Sequence, residues 1–219
     1  MTAAELITTQ LPVLQLTDTA ADALHKMQEH RLSEIPVING NQLAGLVREE
    51  EVEDAAPDSL LSLLEDDFDR SAVRPGDFFL SLLKLMRQRD LQLVPVVEEE
   101  RGYLGAVTVT ALLQAAAQYT SSGEPGGVII LQLLPHQFSI SEIGRIVESN
   151  DARVIHLNTW TESATGHLMV AIKVNKTEIQ DILASLERYE YTVVRFFGEN
   201  QSEDVLRMNF DHLMNYLRM

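Results

Sequence analysis

Apolar residues along this chain alternate between helical spacing and short unbroken runs, and the alternation occurs twice. Ala20, Ala23, Leu24 and Met27 recur on one face of a predicted helix. Apolar runs at 35–38 and 43–47 follow, separated by Asn39-Gly40-Asn41, residues that accept the positive φ of a tight turn. Farther on, Leu80, Leu83 and Met86 mark a second helix, and apolar runs at 91–97 and 103–107 flank a polar stretch at 98–102. The pattern is a repeat. Pro36 and Pro95 stand 59 residues apart, as do Leu14 and Val73, Leu24 and Leu83, and Met27 and Met86. Gly45 and Gly105 stand 60 apart, so the second copy has one more residue in its turn.

Each copy predicts strand, helix, strand, turn, strand and short helix. The first strand spans 13–16, and Thr19 with Asp22 has the form of a helix N-cap and its reciprocal partner. The paired strands are apolar nearly throughout, which predicts cover on both faces. Such a small unit exposes too much apolar surface alone, so the copies are expected to pack together. Between them, Leu60, Leu61, Leu63 and Leu64 predict a short packed helix within 54–70.

Small residues, Gly and Pro at 120–127 mark the strongest boundary. Beyond it the order is strand (128–133), helix, strand (154–160), strand (168–174), helix and strand (192–196). Ser139 and Glu142 form a capping box before a helix whose face is expected to hold Ile140, Ile143 and Val147. Leu168, Val170, Ile172 and Val174 alternate, so that strand buries one face. Asn175 and Glu178 resemble a second capping box, ahead of Ile179, Ile182, Leu183 and Leu186 at helical spacing. The order βαββαβ is the ferredoxin-like plan. Residues 199–219 read as one more amphipathic helix, with Leu206, Phe210, Leu213, Met214 and Leu217 as its stripe. The stripe could cover the preceding sheet or a partner subunit. The fold class is α+β: a tandem pair at 1–120 (copies about 1–58 and 59–120), a linker at 121–127, a ferredoxin-like domain at 128–198, and the tail.

Leu32-Ser33-Glu34-Ile35-Pro36-Val37-Ile38 followed by Leu43-Ala44-Gly45-Leu46-Val47 resembles a cystathionine-β-synthase (CBS) motif. Leu93-Val94-Pro95-Val96-Val97 followed by Leu104-Gly105-Ala106-Val107-Thr108 resembles a second, so the first half is similar to a tandem CBS pair, or Bateman module. The second half resembles an ACT domain, and the domain order resembles the acetoin-utilisation-type regulatory proteins of bacteria. The CBS resemblance implies clefts for an adenosine nucleotide (AMP, ADP or ATP). There a Thr or Ser after the third strand meets the phosphate, and an acid three residues later accepts the ribose hydroxyls. Here Arg48 stands at the hydroxyl position and Glu51 at the acid in the first copy, while Thr108 and Ala111 hold those places in the second. Arg48 can grip a phosphate with its planar fork, or simply fill the cleft. The resemblance adds Leu16, Thr17, Ile35, Pro36, Val37, Arg74, Val94 and Pro95 as cleft residues. The ACT resemblance implies a small effector such as an amino acid. In that family a glycine between first strand and first helix allows close approach, and none stands in 134–139 here.

Composition narrows the function classes. The net charge of −16 over 219 residues disfavours nucleic acid and anionic membrane partners. There is no cysteine, which removes disulfides and Cys metal sites, and no run reaches the length of a membrane span. No signal-peptide pattern opens the chain, so a cytoplasmic protein is expected. The six histidines, His25, His30, His136, His156, His167 and His212, form no metal-ligand spacing. Were Trp160 to pair with His167, His156 would lie four residues along its strand. No nucleophile, P-loop or dinucleotide motif appears, so no enzyme and no metal cofactor are expected. Two classes remain: a non-catalytic regulatory sensor acting on an unidentified protein target or on its own assembly, and an interaction protein whose modules dimerise without ligand. A homodimer is expected in either case.

Overall fold

The computed structural model describes residues 1–198 and divides into two compact units, 1–117 and from 118 on. The predicted tail helix lies outside the described residues. In the first unit, α1 (Ala3–Leu6) precedes repeat one: β1 (Leu14–Gln15), α2 (Ala20–His30), β2 (Glu34–Asn39), β3 (Gln42–Arg48) and α3 (Glu49–Glu53). Repeat two holds α4 (Phe79–Arg89), β4 (Leu93–Val97), β5 (Tyr103–Thr108) and α5 (Val109–Tyr119). Here the short first strand is reduced to a parallel bridge between Val73 and Val96.

Local chemistry starts and stops these elements. The Asp22 N–H donates to Thr19 Oγ1 (3.2 Å) and the Thr19 N–H to Asp22 Oδ2 (3.0 Å), closing the expected capping box of α2. Ala20, Ala23 and Met27 are buried. In α4 the buried face is Phe79, Leu82 and Met86, with Leu83 against the core, while Leu80 is 45% exposed. The helix phase is set by Phe79, so Leu80 is turned about 100° from the core. The expected helix between the repeats is a single 3-10 turn at Leu61–Leu63, where Leu61 is fully buried and Leu63 is 75% exposed.

Each repeat completes the other's sheet. Thr8, ahead of repeat one, bridges Ala106 of β5, and Asp69, ahead of repeat two, bridges Leu46 of β3. Both bridges lie beside a glycine. A Cβ on Gly45 would stand 2.6 Å from Phe68 Cβ, and one on Gly105 would stand 2.6 Å from the Thr8 carbonyl oxygen. The hairpins also touch, through a Gln42–Gly102 bridge and a Tyr103 N–H donating to Asn41 O at 2.9 Å. The extra residue of the second turn is absorbed by Glu100 (φ 55°) and Arg101 (φ 61°) in the left-handed region.

The second unit contains β6 (Val128–Leu133), α6 (Ile140–Glu148), β7 (Val154–Thr161), β8 (Leu168–Val174), α7 (Gln180–Arg188) and β9 (Thr192–Phe197). Its antiparallel sheet runs β7-β8-β6-β9, the ferredoxin-like order. Ile129, Leu131, Val170 and Ile172 meet Ile143, Ile146, Val147, Ile182, Leu183 and Leu186 of the two helices. Ile140 is 63% exposed, so the core face of α6 starts at Ile143. Ser139 Oγ accepts the Glu142 N–H at 3.3 Å. Asn175 does not cap a helix. Its Oδ1 accepts the Arg153 N–H, and α7 begins after Ile179. Trp160 pairs with Met169 and His156 with Lys173. Among the described residues no helix is long and apolar enough to cross a membrane.

Candidate functional site

The two repeats meet at the starts of β2 and β4. Glu34 is 3% exposed, and its Oε1 accepts the backbone N–H groups of Leu93 (2.9 Å) and Gln92. Burial pushes its carboxyl above the usual range, against those hydrogen bonds and the nearby Arg48 charge. Arg48 pairs with Glu34 across the β2–β3 ladder and Thr108 with Leu93 across the β4–β5 ladder. The two positions expected to meet a phosphate therefore flank the same pair of strand ends.

Around Arg48 a cavity opens, lined also by Glu51, Asp69, Arg70, Ser71 and Arg89. Arg48 caps α3: its N–H donates to Glu51 Oε2 at 2.9 Å. Its guanidinium turns to the other repeat, where Nη2 donates to Arg89 O at 2.8 Å and lies 3.7 Å from Asp69 Oδ2. Arg89 ends α4, so a cation there meets the negative end of that helix. Burial raises the Glu51 carboxyl, opposed by the Arg48 N–H and charge. Burial also pushes Asp69 up, but hydrogen bonds from Ser71 and the charges of Arg89 and Arg48 outweigh it and hold Asp69 below its ordinary value. The wall so built carries three guanidinium groups and several carboxylates, and can engage both the phosphate and the hydroxyls of one ligand.

The other expected residues fall elsewhere. Ile35, Pro36, Val37, Val94 and Pro95 are buried strand residues and line no part of the Arg48 cavity. Leu16 donates its N–H to Ile38 O, and with exposed Thr17 it lies at the hairpin end of β2. That is about 13 Å, four strand residues, from the Arg48 end. Arg74 lies at the corresponding end of repeat two. Thr108 Oγ1 accepts the Ala111 N–H at 3.2 Å, so the hydroxyl caps α5. Asp69, Arg70, Ser71 and Arg89 are the residues sequence reasoning missed. Their signal would have been the segment leading into repeat two, read against the third strand of repeat one.

In the second unit the loop after β6 is a 3-10 turn at Pro135–Gln137, with the Leu134 N–H donating to Gln137 Oε1. His156 makes an edge contact with Tyr119, and His167 Nδ1 lies 3.0 Å from Gln132 Nε2. These two histidines have separate partners.

Two pseudo-symmetric repeats with exchanged lead-in strands and cavities at their strand ends define a tandem-repeat module. Residues 3–58 and 71–118 match the CBS domain family, so the chain carries a tandem CBS pair, a regulatory type of module, followed by a unit with the ferredoxin-like strand order. No curated protein matches the chain. A CBS domain pair/ACT domain protein of Thermotoga maritima is similar at 24% identity, with a TM-score of 0.50 over 54% of this chain and 98% of that one. The CBS domains of a transcriptional regulator from Streptococcus pneumoniae match at 26% identity and a TM-score of 0.47, over 52% and 98%. CBSX2, solved in complex with AMP, matches at 22% identity and a TM-score of 0.44, over 53% and 96%. The Thermotoga likeness speaks for a shared fold.

Proposed function

We propose that this chain is a non-catalytic regulatory module that binds an adenosine nucleotide in the Arg48 cavity and passes the binding event to a partner protein or to its own assembly. One observation carries this reading: Arg48 and Glu51 of repeat one share a cavity with Arg70 and Arg89 of the connecting segment and repeat two. Guanidinium groups suit the phosphate, and Glu51 or Asp69 suits the vicinal ribose hydroxyls. A ligand touching both repeats has different affinity for different repeat poses, which a sensor requires. The test is a thermal-shift series with AMP, ADP and ATP on wild type and Arg48→Ala. A nucleotide at 100 times its Kd stabilises by about 2.7 kcal/mol, and the variant should lose most of that gain. Flat melts across the series would remove the sensor reading.

A second reading is an interaction module whose cleft is filled by its own side chains. It is favoured by the engagement of Arg48 with Arg89 O and Asp69. In both readings the chain works as a homodimer, and a monomer by light scattering at micromolar concentration would contradict that. An amino-acid effector on the ACT-type unit belongs in the same screen.

A further inference from the structure

A second cavity lies at the opposite, hairpin end of repeat two. Arg70, Arg74 and Arg101 line it together with Asp77, Glu98 and Glu100. The positions 59 or 60 residues earlier hold Leu11, Gln15 and Asn41, so the three arginines belong to repeat two alone. The formal charge of these six residues is zero, in a chain whose net charge is −16.

The guanidinium groups do not pair with the carboxylates beside them. Among the described residues Arg74 has no side-chain partner, and Arg70 has only Glu65, 4.0 Å away and outside the cavity. Arg101 donates to two carbonyls, Leu43 O (3.0 Å) and Arg70 O (3.5 Å), and its buried Nη2 has no partner. Two of the three acids are turned onto backbone instead. Asp77 Oδ2 accepts the Arg74 N–H at 2.8 Å, and Glu98 folds back over Gly102, where a Cβ would lie 3.0 Å from its Oε1. The left-handed backbone at Glu100 and Arg101 is unfavourable for side-chain-bearing residues, yet it holds Arg101 in place. Guanidinium donors that no carboxylate of their own cavity engages are suited to an oxyanion, which a planar fork binds through two parallel hydrogen bonds.

We propose that this cavity binds a phosphoryl-type oxyanion, gripped by Arg74 and Arg70, with the fixed charge of Arg101 behind them. Arg70 also lines the Arg48 cavity, so the two sites compete for one side chain. The competition rests on the nucleotide reading above; the anion site does not.

The probe is inorganic phosphate, titrated calorimetrically into the full chain and compared with chloride at matched ionic strength. Phosphate should bind and raise the Tm by several degrees, and chloride should not. Arg74 is exposed, so Arg74→Ala should fold normally and lose at least tenfold in phosphate affinity, while Arg153→Ala, at an exposed arginine of the second unit, keeps wild-type affinity. Phosphate acting no differently from chloride, unchanged affinity in Arg74→Ala, or an equal loss in Arg153→Ala overturns the proposal. Binding of AMP without phosphate binding sinks this site and spares the cleft reading. Phosphate bound through Arg74 in a protein indifferent to nucleotides does the reverse.

Discussion

The Glu34 carboxylate accepts the Leu93 backbone N–H at 2.9 Å, and Glu34 and Leu93 occupy equivalent positions of the two repeats, 59 residues apart. The internal symmetry is therefore broken at its centre by one acid. Repeat one supplies the charge, and repeat two supplies the donors.

That acid makes stability depend on pH with a definite sign. Burial raises Glu34 above its ordinary 4.5, so the folded chain holds the proton more tightly than the unfolded chain. Its contribution is full below the unfolded value and is lost as pH rises through the raised folded value. Glu34→Gln keeps an oxygen acceptor and cannot ionise. The stability of wild type minus that of Glu34→Gln, from urea melts, should fall as pH rises above the ordinary carboxyl value of 4.5. A flat or rising difference would contradict the assignment.

Gly105 should tolerate no side chain. Its φ of 145° and the Thr8 oxygen, 2.6 Å from where an alanine methyl would stand, act together in Gly105→Ala. A loss of about 3 kcal/mol is expected from overpacking plus backbone strain. Gly45→Ala, with its clash against Phe68 but without the positive φ, should cost about 1–3 kcal/mol. Equilibrium denaturation of both variants gives the order.

Arg48 is expected to be worth stability as well as affinity. Arg48→Ala removes a charge-assisted bond to the end of α4, and with the side chain one-third exposed the loss should be about 1 kcal/mol. Amide exchange near Arg89 should quicken in that variant. Unchanged protection at the end of α4 would show the contact to be inconsequential.

The phase of α6 gives a sharp contrast. Ile143→Ala removes a fully buried side chain and should cost about 2–5 kcal/mol, whereas Ile140→Ala, 63% exposed, should stay within about 0.5 kcal/mol. Paired melts of the two variants decide whether the core face begins where the structure puts it.

Much of this architecture was legible because it is periodic. Pro36 and Pro95, Gly45 and Gly105, and the alternation from Leu168 to Val174 carry the repeat and the second sheet directly. Helix faces were legible only to within one residue, since Leu80 and Ile140 look as apolar as their buried neighbours. Asn175 has the form of a cap but serves Arg153, a partner no local pattern reveals. The cleft was half legible. Arg48 and Glu51 sit at motif positions, but Asp69 and Arg89 reach them through pairing between repeats, which leaves no trace in spacing.

The exchange of lead-in strands at Thr8 and Asp69 has a consequence for how this module can be cut. Residues 1–58 produced alone would present β3 as a bare edge beside Gly45, with the strand at Asp69 missing. A bare edge recruits whatever strand is offered. Two such halves on separate chains could satisfy each other only by swapping, so the smallest piece that closes on itself is the pair.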